Sequence, residues 1–387
     1  MKLFHTADWH LGKLVQGVYM TEDQQYVLEQ FMDAVEQERP DAVIIAGDLY
    51  DRAIPPTEAV ELLNDILERL VLELKVPVFA IAGNHDSPDR IDFAVKLMER
   101  NGLYMCGQLR FPLEPIVMQD EFGEVHFYLL PYADPSIVRH LLGQEHIRSH
   151  QEAMEAIVAH ITANWDDQAR HVLVAHAFIT PYGEPKDNTS DAERPLAIGG
   201  AEYVSAELLK AFDYVALGHL HGAHHVGDER IRYSGSPLKY SISEERQNKG
   251  FLVVELGEGL IDVRKEELTA RRDMRRVVGS ISEIERHTRN EDYVYVTLTD
   301  ENPVLFPMEK IRAVYPNAMH VERQPANVYR ASEDTDGEQL LLRAKQELKP
   351  LELFSAFYEE VRGTQLTPDK ESLFAEAYEL LLKESGE

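Results

Sequence analysis

The chain has 387 residues, 44% hydrophobic and 28% charged, with a formal net charge of −29 at pH 7. That is the composition of a globular protein long enough for two or three domains, and its acidity argues against nonspecific long-range attraction to nucleic acid or anionic lipid. No run approaches the roughly 20 apolar residues of a membrane helix, and a single cysteine, Cys106, precludes an intrachain disulfide, so the sequence is read as cytoplasmic.

Residues 1 to about 100 alternate strand and helix patterns. "KLFHTA" is strand-like, and "EDQQYVLEQFMDAVEQE" sets Val27, Leu28, Phe31, Met32 and Val35 on one helical stripe. "DAVIIAGD" is a continuous apolar strand, Thr57 to Leu74 a second amphipathic helix, and "VPVFAIAG" another strand. Continuous apolar strands joined by helices predict a sheet covered on both faces. The pattern resumes with "VHFYLLPY", "HVLVAH" and "YVALGH", then "RIRYSGSP" and "GFLVVEL". Thr180 to Gly200 is rich in turn formers and reads as a long functional loop, with Lys186 and Arg194 as candidate phosphate contacts.

Near Ala270 the character changes. "ARRDMRRVVG", "DYVYVTLTD", a helix-like "PMEKIRAVYP" and "MHVER" contain a small strand–helix–strand unit. Arg271, Arg272, Arg275 and Arg276 are candidate contacts to a phosphate backbone; the alternative is a solvated helix face paired with acidic residues. "RASEDTDGEQ" reads as a polar linker, and the remainder as two helices separated near Pro368.

The polar residues fall at strand ends. Strand one ends in Asp8 and His10, strand two in Asp48 and Asp51, strand three in "GNHD", and later strands in His176 and in His219 and His221. Ligands bind beyond the carboxyl ends of strands in such sheets, so the five clusters converge on one rim. Carboxylates, imidazoles and an amide oxygen form a mixed hard and borderline ligand set, too large for one ion. Two ions bridged by a shared carboxylate would use them all. Asp48, alone between two pairs, is the expected bridge, and Asn84 a ligand through its side-chain oxygen. His85 is expected to stand beside the ions as a proton donor or charge stabiliser. A cap or turn would explain any one cluster but not all five in order.

This order, Asp-x-His, Gly-Asp-x-x-Asp, Gly-Asn-His-Asp, a later His and Gly-His-x-His, resembles the calcineurin-like metallophosphoesterases. "HTADWHLG", "AGDLYDRAIPP", "AGNHDSP", "ALGHLHG" and "YSGSPLKYS" are similar to the double-strand-break repair nucleases of that family, over nearly the whole chain. The resemblance implies an α/β protein. Residues 1–268 would form a two-sheet metallophosphoesterase sandwich flanked by helices, 269–332 a small α+β capping and DNA-binding domain, and 333–387 a C-terminal helical tail that binds a partner. It further implies one ion on Asp8, His10, Asp48 and His221, and another on Asp48, Asn84, His176 and His219, with Mn2+ as the metal. His85 matches the catalytic histidine and Asp51 the acid that orients it.

The implied activity is 3′-to-5′ exonuclease and endonuclease action on DNA ends and hairpins by two-metal in-line attack of water. The implied partner is an SbcC-type coiled-coil ATPase, in a heterotetramer built on a homodimer of this chain. The tail would dock on the ATPase through Leu353, Phe354, Phe357, Leu373, Phe374 and Tyr378, unless it folds back on its own domain. Two other functions fit parts of the pattern. A phosphoprotein phosphatase would share the bimetal site and the Asp51-Arg52 pair, but its motifs continue Asp-Arg-Gly and Gly-Asn-His-Glu, where this chain has Ala53 and Asp86. A non-catalytic DNA-end scaffold would be expected to have lost a ligand, and every expected position is filled.

Overall fold

The structure, a computed structural model, describes residues 1–163, 165–182 and 203–323, and beyond them residues 351, 354, 355, 358, 367, 370–375 and 378. Among the described residues twelve strands make two sheets: β1 (Lys2–Thr6), β2 (Ala42–Ile45), β3 (Val78–Ile81), β4 (Leu103–Cys106), β5 (Ile116–Asp120), β6 (Gly123–Leu130), β7 (Arg170–His176), β8 (Tyr214–Gly218), β9 (His224–Val226), β10 (Asp228–Tyr233), β11 (Gly250–Leu256) and β12 (Ile261–Glu267). Their orders are β12-β11-β1-β2-β3-β4 and β9-β10-β8-β7-β6-β5. β1 to β4 pair in parallel, as do β6, β7, β8 and β10, so the carboxyl ends of each set share an edge. Antiparallel strands flank both sets.

The two-residue side-chain period assigns each strand's apolar residues to two layers. In the first sheet, Phe4, Val43, Ile45, Val78 and Ala80 pack with residues of α1 (Thr21–Glu38) and α2 (Thr57–Glu68), including the predicted stripe Val27, Leu28, Phe31, Met32 and Val35. Leu3, Ile44, Phe79 and Ile81 face the other sheet and meet Val125, Phe127, Val172, Val174, Tyr214 and Ala216. The rings of Phe79 and Phe127 stack there with centroids 4.4 Å apart. Leu130, Leu173, Ala175, Val215 and Leu217 pack with Met154, Ile157 and Ile161 of α3 (His150–Thr162) on the far side of the second sheet. Each sheet is thus covered by helices on one face and by its companion on the other. This explains strands that read as unbroken apolar runs.

Two local expectations change. The segment from Thr57 is α-helical only to Glu68 and continues as a π-turn over Arg69–Glu73. "MRRVVG" is strand β13 (Met274–Gly279) rather than a helix face; with β14 (Tyr293–Leu298) and β15 (His320–Arg323) it forms a three-stranded sheet. α4 (Pro307–Val314) lies between β14 and β15 in the chain.

By contacts, Met1–Leu298 with Leu305–Glu322 form one unit, and Thr299–Val304 with Arg323–Glu387 a second. Within the second, the ring of Phe354 stacks on Phe374 at 4.2 Å, and Tyr378 neighbours Phe374 at 6.0 Å. Leu373 is 71% exposed. Leu353, Phe357, Lys186 and Arg194 lie outside the described residues. Among the described residues no helix is long and apolar enough to cross a membrane.

Candidate metal centre

Beyond the carboxyl edge of the first sheet, the loops after β1 and β2 zip together. Asp8 N–H donates to the Gly47 carbonyl (3.0 Å), His10 N–H to that of Asp48 (2.9 Å) and Leu11 N–H to that of Leu49 (2.9 Å). The loop after β3 joins them through Asp86, whose carboxylate accepts from the backbone of Leu49 (3.0 Å), Tyr50 (2.9 Å) and Gly83 (2.9 Å). A small residue is required at this junction. A Cβ on Gly83 would lie 2.2 Å from Asp48 Oδ1, and one on Gly218 would lie 1.8 Å from the Ala46 carbonyl oxygen. Asp8, His10, Asp48 and His219 adopt left-handed backbone, with φ of 54°, 46°, 50° and 106°. Such conformations are unfavourable for residues with a Cβ and concentrate at functional sites.

All seven expected ligands reach one rim. Asp8, His10, Asp48, His176, His219 and His221 are buried, and Asn84 is partly so. Asp48 occupies the middle: its Oδ2 lies 3.7 Å from His10 Nε2 and 3.4 Å from His176 Nε2. On one side, His10 Nε2 and His221 Nε2 are 3.1 Å apart. On the other, His176 Nε2 faces Asn84 Oδ1 at 3.0 Å. Asp8 Oδ1 accepts from the backbone N–H of His219 (2.9 Å) and lies 4.0 Å from His176 Nδ1.

The outer nitrogens of three rings face acceptors, which fixes their tautomers. His176 Nδ1 donates to the Ala46 carbonyl (2.9 Å), His85 Nδ1 to that of Asp51 (2.8 Å) and His221 Nδ1 to the Glu244 carboxylate (2.9 Å). An acceptor that cannot donate requires an N–H opposite it, so in neutral His85 and His221 the lone pair is on Nε2, whereas His176 Nε2 also faces oxygens, Asn84 Oδ1 at 3.0 Å and Asp48 Oδ2 at 3.4 Å, and carries a proton of its own. Hydrogen bonds of this kind orient metal-binding histidines. Glu244 is itself held by Lys249, whose Nζ lies 2.6 Å away.

Burial drives His10 and His219 well below the ordinary imidazole range and also lowers His221, so these rings are neutral. Burial opposes the charge of Asp48, yet His176 beside it holds its carboxyl well below the usual range. His176 loses by burial and gains more from Asp48 and Asp8, which carry it up to about 9. Asp86 is pushed up to about 7 by burial and then by Asp48.

The donor set fits divalent cations. Asp8, Asp48 and His176 bring ligand atoms within 4.8 Å of one another, as do His10, Asp51 and His85. Both trios differ from the expected division, which puts Asp8 and His176 on different ions and gives the ion near His10 a ligand in His221 rather than in Asp51 or His85. The Asp51 carboxylate already has a cation, Lys13 Nζ at 2.8 Å. His10 Nδ1, buried and without a hydrogen-bond partner among the described residues, indicates that this pocket is built for more than hydrogen bonding. The hydrogen bond expected from the Asp51 side chain to His85 is made by the Asp51 backbone carbonyl instead.

The basic cluster is divided. Arg272 binds Asp23 (2.7 Å) and Arg275 binds Asp292 (2.8 Å), both within the fold; Arg271 and Arg276 are exposed, and Arg276 Nη1 lies 3.8 Å from the Glu245 carboxylate. Glu244, Lys249, Gln24 and Tyr240 are absent from the sequence-derived site. Gln24 Nε2 donates to the carbonyls of Trp9 (3.0 Å) and His10 (2.8 Å) and to Tyr240 OH (3.0 Å). Gln24, Glu244 and Lys249 sit in no strand-end motif; Tyr240 lies in "YSGSPLKYS" and Asp86 in "GNHD", and those motifs were the recoverable signal.

Comparison with known proteins agrees with this geometry. The family model described as calcineurin-like phosphoesterase matches residues 1–223, more than half the chain. A second model, SbcD_C, described as the type 5 capsule protein repressor C-terminal domain, matches residues 270–362. The pair fits a nuclease subunit of the SbcD type. Among solved structures, TT1561 of Thermus thermophilus is similar at 15% identity over 68% of this chain and 98% of its own, with a TM-score of 0.38. A dimetal phosphatase from Danio rerio is similar at 13% identity over 70% of this chain and 97% of its own, with a TM-score of 0.41. A carboxylate- and imidazole-lined rim at the strand ends, in a sandwich whose sequence matches that model from its first strand through the Gly-His-x-His motif, has one consequence: the chain belongs to the calcineurin-like phosphoesterase family, hydrolases of phosphoester bonds.

Proposed function

We propose that the protein is a Mn2+-dependent DNA nuclease, with 3′-to-5′ exonuclease and endonuclease action at ends and hairpins, working with an SbcC-type coiled-coil ATPase. The observation that takes the reading beyond phosphoester hydrolysis is the SbcD_C match behind the phosphoesterase domain. Asp8, His10, Asp48 and His221 would hold one ion, and Asp48, Asn84, His176 and His219 the other. Two bound divalent ions supply an activated water and neutralise charge on the phosphate oxygens.

The remaining work falls to the chain. Asp48, within 3.7 Å of rings on both sides, is placed to serve both ions. His85, with Nδ1–H committed to the Asp51 carbonyl, would act in its doubly protonated form, using Nε2–H to stabilise or protonate the departing sugar oxygen. Asp51 acts through that carbonyl and anchors Lys13. The formal charge of −29 leaves the DNA path to local features, and exposed Arg271 suits a phosphate backbone better than Arg272, Arg275 and Arg276, each paired with an acid of the fold. The aromatic contacts among Phe354, Phe374 and Tyr378, with Leu373 exposed beside them, support the tail as the ATPase-binding segment.

The test is nuclease assay of the purified protein on end-labelled duplex DNA with Mn2+, Mg2+ or chelator, alone and with the ATPase, beside a phosphopeptide. Metal-dependent DNA cleavage supports the proposal; phosphopeptide turnover without DNA cleavage replaces it with a phosphatase. Deleting residues 340–387 should abolish co-purification with the ATPase while sparing hydrolysis of a small phosphodiester.

A further inference from the structure

We infer that the small sheet containing β13 and β14 is mechanically coupled to one of the two metal pockets, the one facing His10 and His221, through Asp23 and Glu245 as positioning residues. The inference rests on the bimetal reading above. Its basis is that two pairs of adjacent residues each hold the metal rim with one member and the small sheet with the other.

The first pair lies at the start of α1. Gln24 grips the His10 loop: its Nε2 donates to the His10 carbonyl at 2.8 Å, and its Oε1 accepts from Gly12 N–H at 3.1 Å. Its neighbour Asp23 accepts from Tyr293 OH on β14 at 2.6 Å and from Arg272 Nη1 at 2.7 Å. The second pair lies at the end of the turn Ile242–Glu244. Glu244 accepts from His221 Nδ1 at 2.9 Å, while Glu245 accepts from the backbone N–H of Arg276 on β13 at 2.8 Å. Tyr240 ties the pairs together, since its hydroxyl meets Gln24 Nε2 at 3.0 Å and its N–H donates to Glu244 Oε2 at 3.2 Å.

Asp23, Gln24 and Glu244 are fully buried, so this frame has little freedom to relax piecemeal. His10, which it holds by the backbone carbonyl, and His221, which it holds by the ring, are the two residues whose Nε2 atoms meet at 3.1 Å. His176, by contrast, is fixed by the Ala46 carbonyl in the main sandwich. A displacement of the small sheet therefore changes the spacing of the His10–His221 pocket and leaves the His176–Asn84 pocket in place. Reciprocally, filling the first pocket stabilises the small sheet, because coupling between two equilibria has the same size in both directions.

The test is calorimetric titration of the full chain with Mn2+ alone, comparing the natural protein with Glu245→Ala and Tyr293→Phe, with thermal unfolding to show that each variant is folded. Tyr293→Phe removes one hydroxyl and keeps the buried ring. The natural chain should bind two ions. In both variants one step should weaken about tenfold, the scale of an outer-shell loss, and it should be the step that His221→Asn abolishes. Hydrogen exchange over residues 274–279 and 293–298 should slow when that site fills in the natural chain, and slow less in the variants. Two ions bound with both affinities unchanged, with both weakened alike, or with the other step weakened would overturn the coupling and leave the bimetal reading intact. Failure of the natural chain to bind two ions would overturn both.

Discussion

His10 and His221, 211 positions apart in the chain, bring their Nε2 atoms to 3.1 Å inside a buried rim. Their supports differ: His221 is locked from behind by Glu244, and Glu244 in turn by Lys249. Lys249 Nζ also donates to the His221 carbonyl and to Ser236 Oγ, each at 2.9 Å. Glu244 therefore serves both stability and the proposed metal site.

Glu244→Ala leaves the buried ammonium of Lys249 without its carboxylate. Breaking a buried ion pair from one side costs about 3–5 kcal/mol. Urea unfolding in chelator should show a loss of that size, with no metal present to confuse the comparison. A loss below about 1 kcal/mol, the scale of an exposed pair, would mean that the triad does not hold His221.

His85→Ala should separate binding from turnover. The ring belongs to neither proposed ion set, so two Mn2+ ions should still bind. Loss of an acid or charge stabiliser should lower turnover about 10²–10⁴-fold. Full retention of hydrolysis would remove His85 from its role, and loss of an ion would make it a ligand.

Gly83→Ala tests the packing of the bridge. The new methyl would fall 2.2 Å from Asp48 Oδ1 and 2.4 Å from the Asp48 backbone nitrogen, and backbone cannot move aside as a flexible side chain would. Because Asp48 is proposed to serve both ions, affinity at both should fall together. Unchanged affinity at either one would show that Asp48 does not bridge.

His5 predicts a pH dependence unrelated to the metal rim. It lies in β1 between the sheets, with Nδ1 at 2.8 Å from Tyr214 OH and Nε2 at 3.2 Å from the Leu217 carbonyl. Burial pushes it from 6.5 down to about 3, against the opposing pull of that carbonyl. Below pH 6.5 the unfolded chain takes up a proton that the folded chain refuses. The His5 contribution is thus complete above that pH and declines as pH falls toward 3. Between pH 7 and 5 the natural chain should lose about 2 kcal/mol more than His5→Gln in urea unfolding. Equal losses would show that His5 is not held neutral.

Much of this site was legible because its residues sit at ends of continuous apolar strands, where burial of Asp, Asn and His needs a compensating partner. The α1 stripe from Val27 to Val35 was legible for a similar reason, since one helical face meets the sheet. What escaped is set by tertiary contact. Edge strands such as β12 are half-exposed and carry a mixed pattern, "IDVRKEE". Glu244 lies in "SISEERQNKG", which has no local signature; its role exists only because that turn lies against His221. The arginine cluster read as one feature, yet strand alternation and nearby acids divide it.

The most direct measurement is an anomalous-scattering map of crystals grown with Mn2+. Two peaks about 3.5–4 Å apart, flanking Asp48 with His10 and His221 on one side and His176 and Asn84 on the other, are the predicted result. A single peak, or peaks away from Asp48, would contradict the binuclear centre.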